Sequence, residues 1–204
     1  MFHVEQNDIT DLGNELGLPL SRSQLDLLLG YERTLVGQGP DLGVISRSDR
    51  ARVRQRHILD CMRAAVPSPE SGRAYDLGSG GGLPGIVVGI LRPGLSVTLV
   101  ERRARRAAFL ERAVRELGLS NIDVAATRLE DLPQGRADIC FARALAALLA
   151  TWQLSRPLLK ARGSLVYFAG AGVAVPETLP ECSQFRVCRC GVLEYGGPLV
   201  IITR

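Results

Sequence analysis

The sequence predicts an α/β fold: a mostly parallel, doubly wound sheet with an antiparallel C-terminal hairpin and a helical appendage at the N-terminal end. Three observations carry this expectation. From about residue 73 onward, short apolar runs alternate with stretches of helical periodicity, the rhythm of βαβ units. Glycine is plentiful at 22 residues while aromatics make up 5%, a balance that suits tight strand-to-helix turns better than a β-sandwich. Finally, 204 residues with 46% hydrophobic content suffice for one core and not for two ordinary ones. One domain over 1–204 is expected, divided into a helical extension over 1–66 and a core over 73–204.

The elements follow in order. In LSRSQLDLLLGYERTLVGQ, Leu20, Leu25, Leu28, Leu29, Leu35 and Val36 recur mostly at helical spacing, with Ser21 or Ser23 as N-cap, which predicts a helix of about four turns. A second helix is expected over 48–65, with Val53, Ile58, Cys61 and Met62 on one face beneath a run of arginines. Pro67, Ser68, Pro69, Ser71 and Gly72 read as a linker. Strands are then expected at 74–77, 97–100, 122–125, 139–142 and 165–168, with helices near 84–91, 103–117 and 145–160. The tail FRVCRCGVLEYGGPLVIITR supplies two β-like runs joined by Gly196, Gly197 and Pro198, a hairpin pattern.

Composition narrows the function classes. The N-terminus MFHVEQNDIT has no charged start before an apolar run, and no stretch reaches the ~18 apolar residues of a membrane span, so a cytoplasmic protein without a membrane partner is expected. No obligate protein partner is evident. Cys61, Cys140, Cys182, Cys188 and Cys190 form no CxxC pair, and the close group near the end has only three members and no nearby histidine, so reduced structural thiols and no metal are expected. The net charge is +4 and the pI about 9.0, which favours a polyanionic partner. Arg47, Arg50, Arg52, Arg54, Arg56 and His57 form one basic cluster; Arg102, Arg103, Arg105, Arg106, Arg112 and Arg115 form another. Either cluster alone reads equally as a solvated helix face or a phosphate-contacting surface. Two in one small chain favour RNA, with Arg52, Arg54, Arg56, His57, Arg102, Arg103, Arg105 and Arg106 as candidate contacts.

The sharpest motif is YDLGSGGGLPG, from Tyr75 to Gly85, between an expected strand and an expected helix. Gly78, Gly80 and Gly82 allow a tight turn and a close backbone approach to a ligand. Leu83 stands where the dinucleotide fingerprint needs its third glycine, which disfavours NAD and a nucleotide-dependent oxidoreductase. S-adenosylmethionine has no phosphate and presents an amino acid, a sulfonium and an adenosine. Asp76 suits its cationic amino group, or caps a turn. Glu101, closing the second strand, accepts from both ribose hydroxyls or caps the following helix. Glu130 or Asp131 after the third strand, with the Leu129 amide, reads the adenine, unless these acids are surface residues before Pro133.

DLGSGGGLPG, TLVERRARRAAFL, RELGLSNIDV, TRLEDLP, FARALAAL and the earlier RHILD occur in the order seen in a known family. Over roughly residues 20–170 the chain resembles the ribosomal small-subunit RNA methyltransferase G family, also called glucose-inhibited division protein B. The resemblance implies a Rossmann-like class I S-adenosylmethionine-dependent methyltransferase that transfers a methyl group to N7 of one guanine in 16S rRNA. Carried over by position, the family's cofactor contacts fall on Gly78, Leu83, Leu129, Glu130 and Arg143. Two departures concern substrate detail: Ala169 precedes Gly170 where many members carry lysine, and Asp41, Leu42 and Gly43 replace the usual Asn-Leu-Thr.

The remaining residues agree with that chemistry. Guanine N7 carries a free lone pair, so its attack on a sulfonium methyl needs alignment and no prior deprotonation. His3 and His57 are the only histidines, and no catalytic dyad is evident. Arg143 is the candidate for aligning the guanine, or is a structural arginine bound to a carboxylate. Tyr75, Phe141 and Phe168 read as core, while Tyr31 and Trp152 stay open. The competing readings are a methyltransferase of small molecules or proteins and a noncatalytic RNA-binding protein that retains the fold.

Overall fold

The computed structural model describes residues 4–170, 179–189, 193 and 196–204, with side chains from residue 8 onward. Among these residues seven strands form one sheet: β1 Gly72–Leu77, β2 Leu95–Val100, β3 Ile122–Ala125, β4 Ala137–Arg143, β5 Leu159–Phe168, β6 Gln184–Cys188 and β7 Leu199–Thr203. Their order is β3-β2-β1-β4-β5-β7-β6. The first five pair in parallel, and β7 runs antiparallel between β5 and β6. The order reverses between β1 and β4, and the crevice at that switch point is where open α/β sheets bind ligands.

Among the described residues six α-helices accompany the sheet: α1 Val4–Glu15, α2 Arg22–Leu42, α3 Leu59–Met62, α4 Gly85–Leu91, α5 Ala104–Leu117 and α6 Leu148–Ser155. Alternation along the strands divides the core in two. On one face Phe141, Val166 and Ile201 join the appendage, α4 and α5; on the other Cys140, Leu165 and Ile202 pack with Trp152 of α6. Among the described residues no helix is long and apolar enough to cross a membrane, and no His/Cys/Asp/Glu group could hold a metal. Cys61 and Cys140 are buried, Cys182 and Cys188 half-buried, and all four are free thiols. Cys190 and His3 lie outside the described residues.

Several boundaries differ from expectation. The sequence reading placed no separate helix at α1, where Ile9 and Leu12 are buried. The helix expected to run about four turns extends over 21 residues to Leu42, with Pro40 inside it. Ser21 and Gln24 close a reciprocal capping box, and Gly43 ends the helix at φ 60°. The region 48–65 is four short segments rather than one helix: 3-10 turns at Arg47–Arg52 and Arg63–Ala65, a π turn at Arg54–Ile58, and α3. This uneven winding lets Arg54 reach Glu32 of α2 while Arg56 faces Asp49. The helix expected over 145–160 stops at Ser155, since Pro157 cannot extend the helical hydrogen bonding, and β5 already starts at Leu159. The hairpin strands pair as expected, but their connection spans 189–198, and Gly196 and Gly197 pack against Asp60, Arg63 and Ala169 instead of forming a tight turn.

Candidate active site

The glycine loop leaves β1 with Gly78, Gly80 and Gly82 at φ 70°, 57° and 92°, the left-handed region that penalises any Cβ. At Gly78 a Cβ would also stand 2.7 Å from Leu145 Cδ1. The loop is braced from behind by the appendage. The buried Tyr31 hydroxyl donates to the Gly81 carbonyl at 2.6 Å, and a Cβ at Gly81 would press on Leu35 and Val44. Tyr31 and Trp152 are therefore core residues with their polar atoms paired, Trp152 Nε1 donating to the Pro180 carbonyl.

Two carboxylates hold the loop's ends. Asp76 is buried, and its Oδ2 accepts from the Gly85 amide at 3.1 Å while Oδ1 has no partner. Burial pushes its carboxyl up to about 7. Glu101, also buried, accepts from the Gly80 amide at 3.1 Å and from the Arg103 amide at 2.8 Å. The second bond ties Glu101 to the backbone of Arg103, the residue that precedes α5, and each oxygen retains a lone pair for a further donor.

Outside these strand ends lies a pocket of about 440 Å³. Gly78, Glu101, Leu129 and Glu130, four of the expected cofactor contacts, line it; Asp76, Gly80, Gly82 and Leu83, expected with them, do not, and Asp131 lines an adjoining cleft. The far wall is Ala144 and Leu145. Its rim is Arg102, Arg103, Arg106 and Arg128. Arg128 was missed, although it directly precedes Leu129 in the TRLEDLP stretch.

Arg143, expected among the cofactor contacts, does not line this pocket; it lines a second cavity of about 440 Å³, together with Arg56, His57, Asp60, Tyr167 and Phe168. Among the described residues the two cavities share one, Ala144, which is held at φ 54° at the end of β4. Arg143 Nη2 donates to the Arg56 carbonyl and to His57 Nδ1, both at 2.9 Å, and lies 3.6 Å from Asp60 Oδ2. Its guanidinium sits 5.9 Å from the centre of the Phe168 ring. Burial, and then the neighbouring Arg143 charge, lower the pKa of His57 to about 4, so the ring is neutral and accepts at Nδ1. Burial likewise holds the Cys61 thiol at about 12, out of reach of thiolate chemistry.

The two basic clusters have different fates. Arg54, expected on RNA, pairs with Glu32 at 2.8 Å, both side chains largely buried. Arg52 and Arg56 converge on Asp49, and His57 is packed behind Arg143 rather than presented to solvent. In the second cluster Arg106 donates to the Leu42 and Gly43 carbonyls, tying α5 to the end of α2. Arg102, Arg103, Arg105 and Arg128 are exposed and make no ion pair among the described residues.

Residues 24–177 match the family model described as rRNA small subunit methyltransferase G. Proteins named ribosomal RNA small subunit methyltransferase G are similar along most of the chain. The one from Salinispora arenicola is 40% identical, covering 89% of this chain and 82% of its own length. The one from Leifsonia xyli subsp. xyli is 34% identical over 97% of this chain and 96% of its own. Among solved structures, M. jannaschii TYW2 in complex with AdoMet superposes with a TM-score of 0.57 at 15% identity, over 72% of this chain and 74% of that one, a likeness of fold.

Proposed function

The chain belongs to the rRNA small subunit methyltransferase G family, and from that premise we propose that it methylates N7 of a guanine in 16S ribosomal RNA, with S-adenosylmethionine as methyl donor. One observation supports this reading above the others: the pocket over β1, β2 and β3 and the arginine-walled cavity beside it meet at Ala144. Methyl transfer needs donor and acceptor held in separate sites that open on one another at near-contact distance.

The residues present fit the cofactor. The partnerless Asp76 Oδ1 suits its cationic amino group, Glu101 its ribose, and Leu129 with Glu130 its adenine, while bare Gly78 leaves the backbone open to close approach. Bound there, S-adenosylmethionine supplies a methyl group activated by sulfonium. The chain then has to bind, orient and exclude water. No residue is asked to remove a proton, because guanine N7 offers its lone pair directly, and the neutral His57 serves instead to hold Arg143. Arg143 aligns the base, while Arg102, Arg103, Arg105 and Arg128 receive RNA phosphates. The whole of 1–204 acts as one methyltransferase domain, since Tyr31 of the extension braces the glycine loop.

The test is incubation with methyl-labelled S-adenosylmethionine and small ribosomal subunits lacking the modification, followed by nucleoside mass spectrometry. The expected product is 7-methylguanosine in 16S rRNA. Label in another nucleoside, or none in RNA, overturns the proposal.

A further inference from the structure

The second cavity presents a particular alternation of hydrogen-bonding groups. Arg143 carries five N–H donors, of which those to the Arg56 carbonyl, His57 Nδ1 and Cys61 Sγ are committed, leaving two. Beside it Asp60 is buried, with Oδ1 bound to Arg63. Its other oxygen has Arg143 Nη2 at 3.6 Å, an ion pair too long for a hydrogen bond, so this carboxylate still has acceptor capacity on the cavity wall. Gly196 permits this arrangement, because a Cβ there would stand 2.7 Å from Asp60 Oδ1. The wall of the cavity that shares Ala144 with the first pocket thus offers a donor and an acceptor side by side.

The Watson–Crick edge of guanine is complementary, with the O6 acceptor followed by the N1–H and N2 amine donors, and the N7 lone pair lies beyond O6 on the adjoining edge. Resting on the functional reading above, we propose that Arg143 and Asp60 select guanine by its Watson–Crick edge, Arg143 donating to O6 and Asp60 accepting from N1–H and N2–H. With those contacts made, N7 is left facing Ala144 and the cofactor pocket. Adenine is rejected at both positions, since its N6 amine would meet the Arg143 donors and its N1 lone pair the Asp60 carboxylate. The hydrogen bond to neutral His57 and the Phe168 ring hold the guanidinium in place for this role.

The experiment compares small subunits carrying guanine with subunits carrying inosine, which lacks the N2 amine, at the position the wild-type protein methylates. Wild type and Asp60→Asn are assayed on both. The expected result is a kcat/KM penalty of about tenfold for inosine in wild type, and a penalty within about twofold in Asp60→Asn, which is itself slow on guanine. A purely structural Asp60 would leave the inosine penalty equal in both proteins, and that outcome overturns the proposal. Wild type indifferent to inosine overturns it as well, without needing the variant to fold. No methylation of the guanine-bearing subunit by wild type removes the underlying functional reading, and this inference with it.

Discussion

The arginine runs at 47–56 and 102–106 look alike in composition, yet the fold uses them in opposite ways. In the first, acids neutralise part of the charge: Glu32 of α2 draws Arg54 into a largely buried pair, and Asp49 pairs with the exposed Arg52 and Arg56. In the second, Arg102, Arg103 and Arg105 stay exposed and without an ion pair among the described residues, and Arg102 and Arg103 line the pocket over β1, β2 and β3 together with Arg128. Pairing, not the number of cations, decides whether a basic stretch adds stability or an outward field. Arg54 is the mortar of the first run, and the second is proposed as a surface for an anion.

The severest challenge to this contrast is to remove Arg102, Arg103, Arg105 and Arg128 together by alanine. RNA affinity at saturating cofactor should fall by at least about tenfold, and the salt slope should flatten by ~0.7 for each lost single-strand phosphate contact. An unchanged slope in a salt titration would end the assignment of phosphates to this surface. Arg54→Ala should do the reverse. It strands Glu32 in a mostly buried place, at a cost of about 1–3 kcal/mol in denaturant unfolding, with the RNA salt slope preserved.

Titration sharpens the same contrast, because charge turned inward registers in stability. His57 sits at about 4 against an ordinary 6.5, so the unfolded chain takes up the proton first and stability drops as pH falls through that window. Asp76 works the other way: raised to about 7 from 3.8, it contributes stability that is lost as pH rises. The two windows overlap and oppose. His57→Gln should therefore unmask Asp76 and lose stability more steeply than wild type as pH rises from about 4.5 to 6.5. Chemical denaturation at both ends of that range checks it, and parallel curves for the two proteins would contradict the opposed windows. The smallest effect belongs to Arg52→Ala, whose 3.9 Å contact to Asp49 is half-exposed; stability should move by less than about 0.5 kcal/mol and RNA binding hardly at all.

Local pattern carried much of the fold, and its failures have local causes. Helix α5 was read within a residue because Gly118 ends it in the left-handed region and its apolar positions repeat cleanly. Glu101, Leu129 and Glu130 were legible because strand ends in a parallel sheet converge on one crevice. The irregular winding over 47–65 was not, since partners distant in sequence, such as Glu32 for Arg54, shape it. Arg143 was found, but its cavity depends on Asp60, far away along the chain and brought near only by tertiary packing. The opposite fates of two similar arginine runs were equally invisible, because a cation's partner is a fact of three dimensions.

The hydrogen bond from Tyr31 to the Gly81 carbonyl has a consequence for the helix that makes it. Any ligand that quiets the glycine loop also lowers the free energy of the docked α2, because coupling between two sites acts equally in both directions. Amide protons in the middle of α2 therefore exchange with deuterium more slowly once cofactor is added, although α2 supplies none of the residues lining its pocket. The N-terminal extension becomes a reporter of occupancy at a site it does not form.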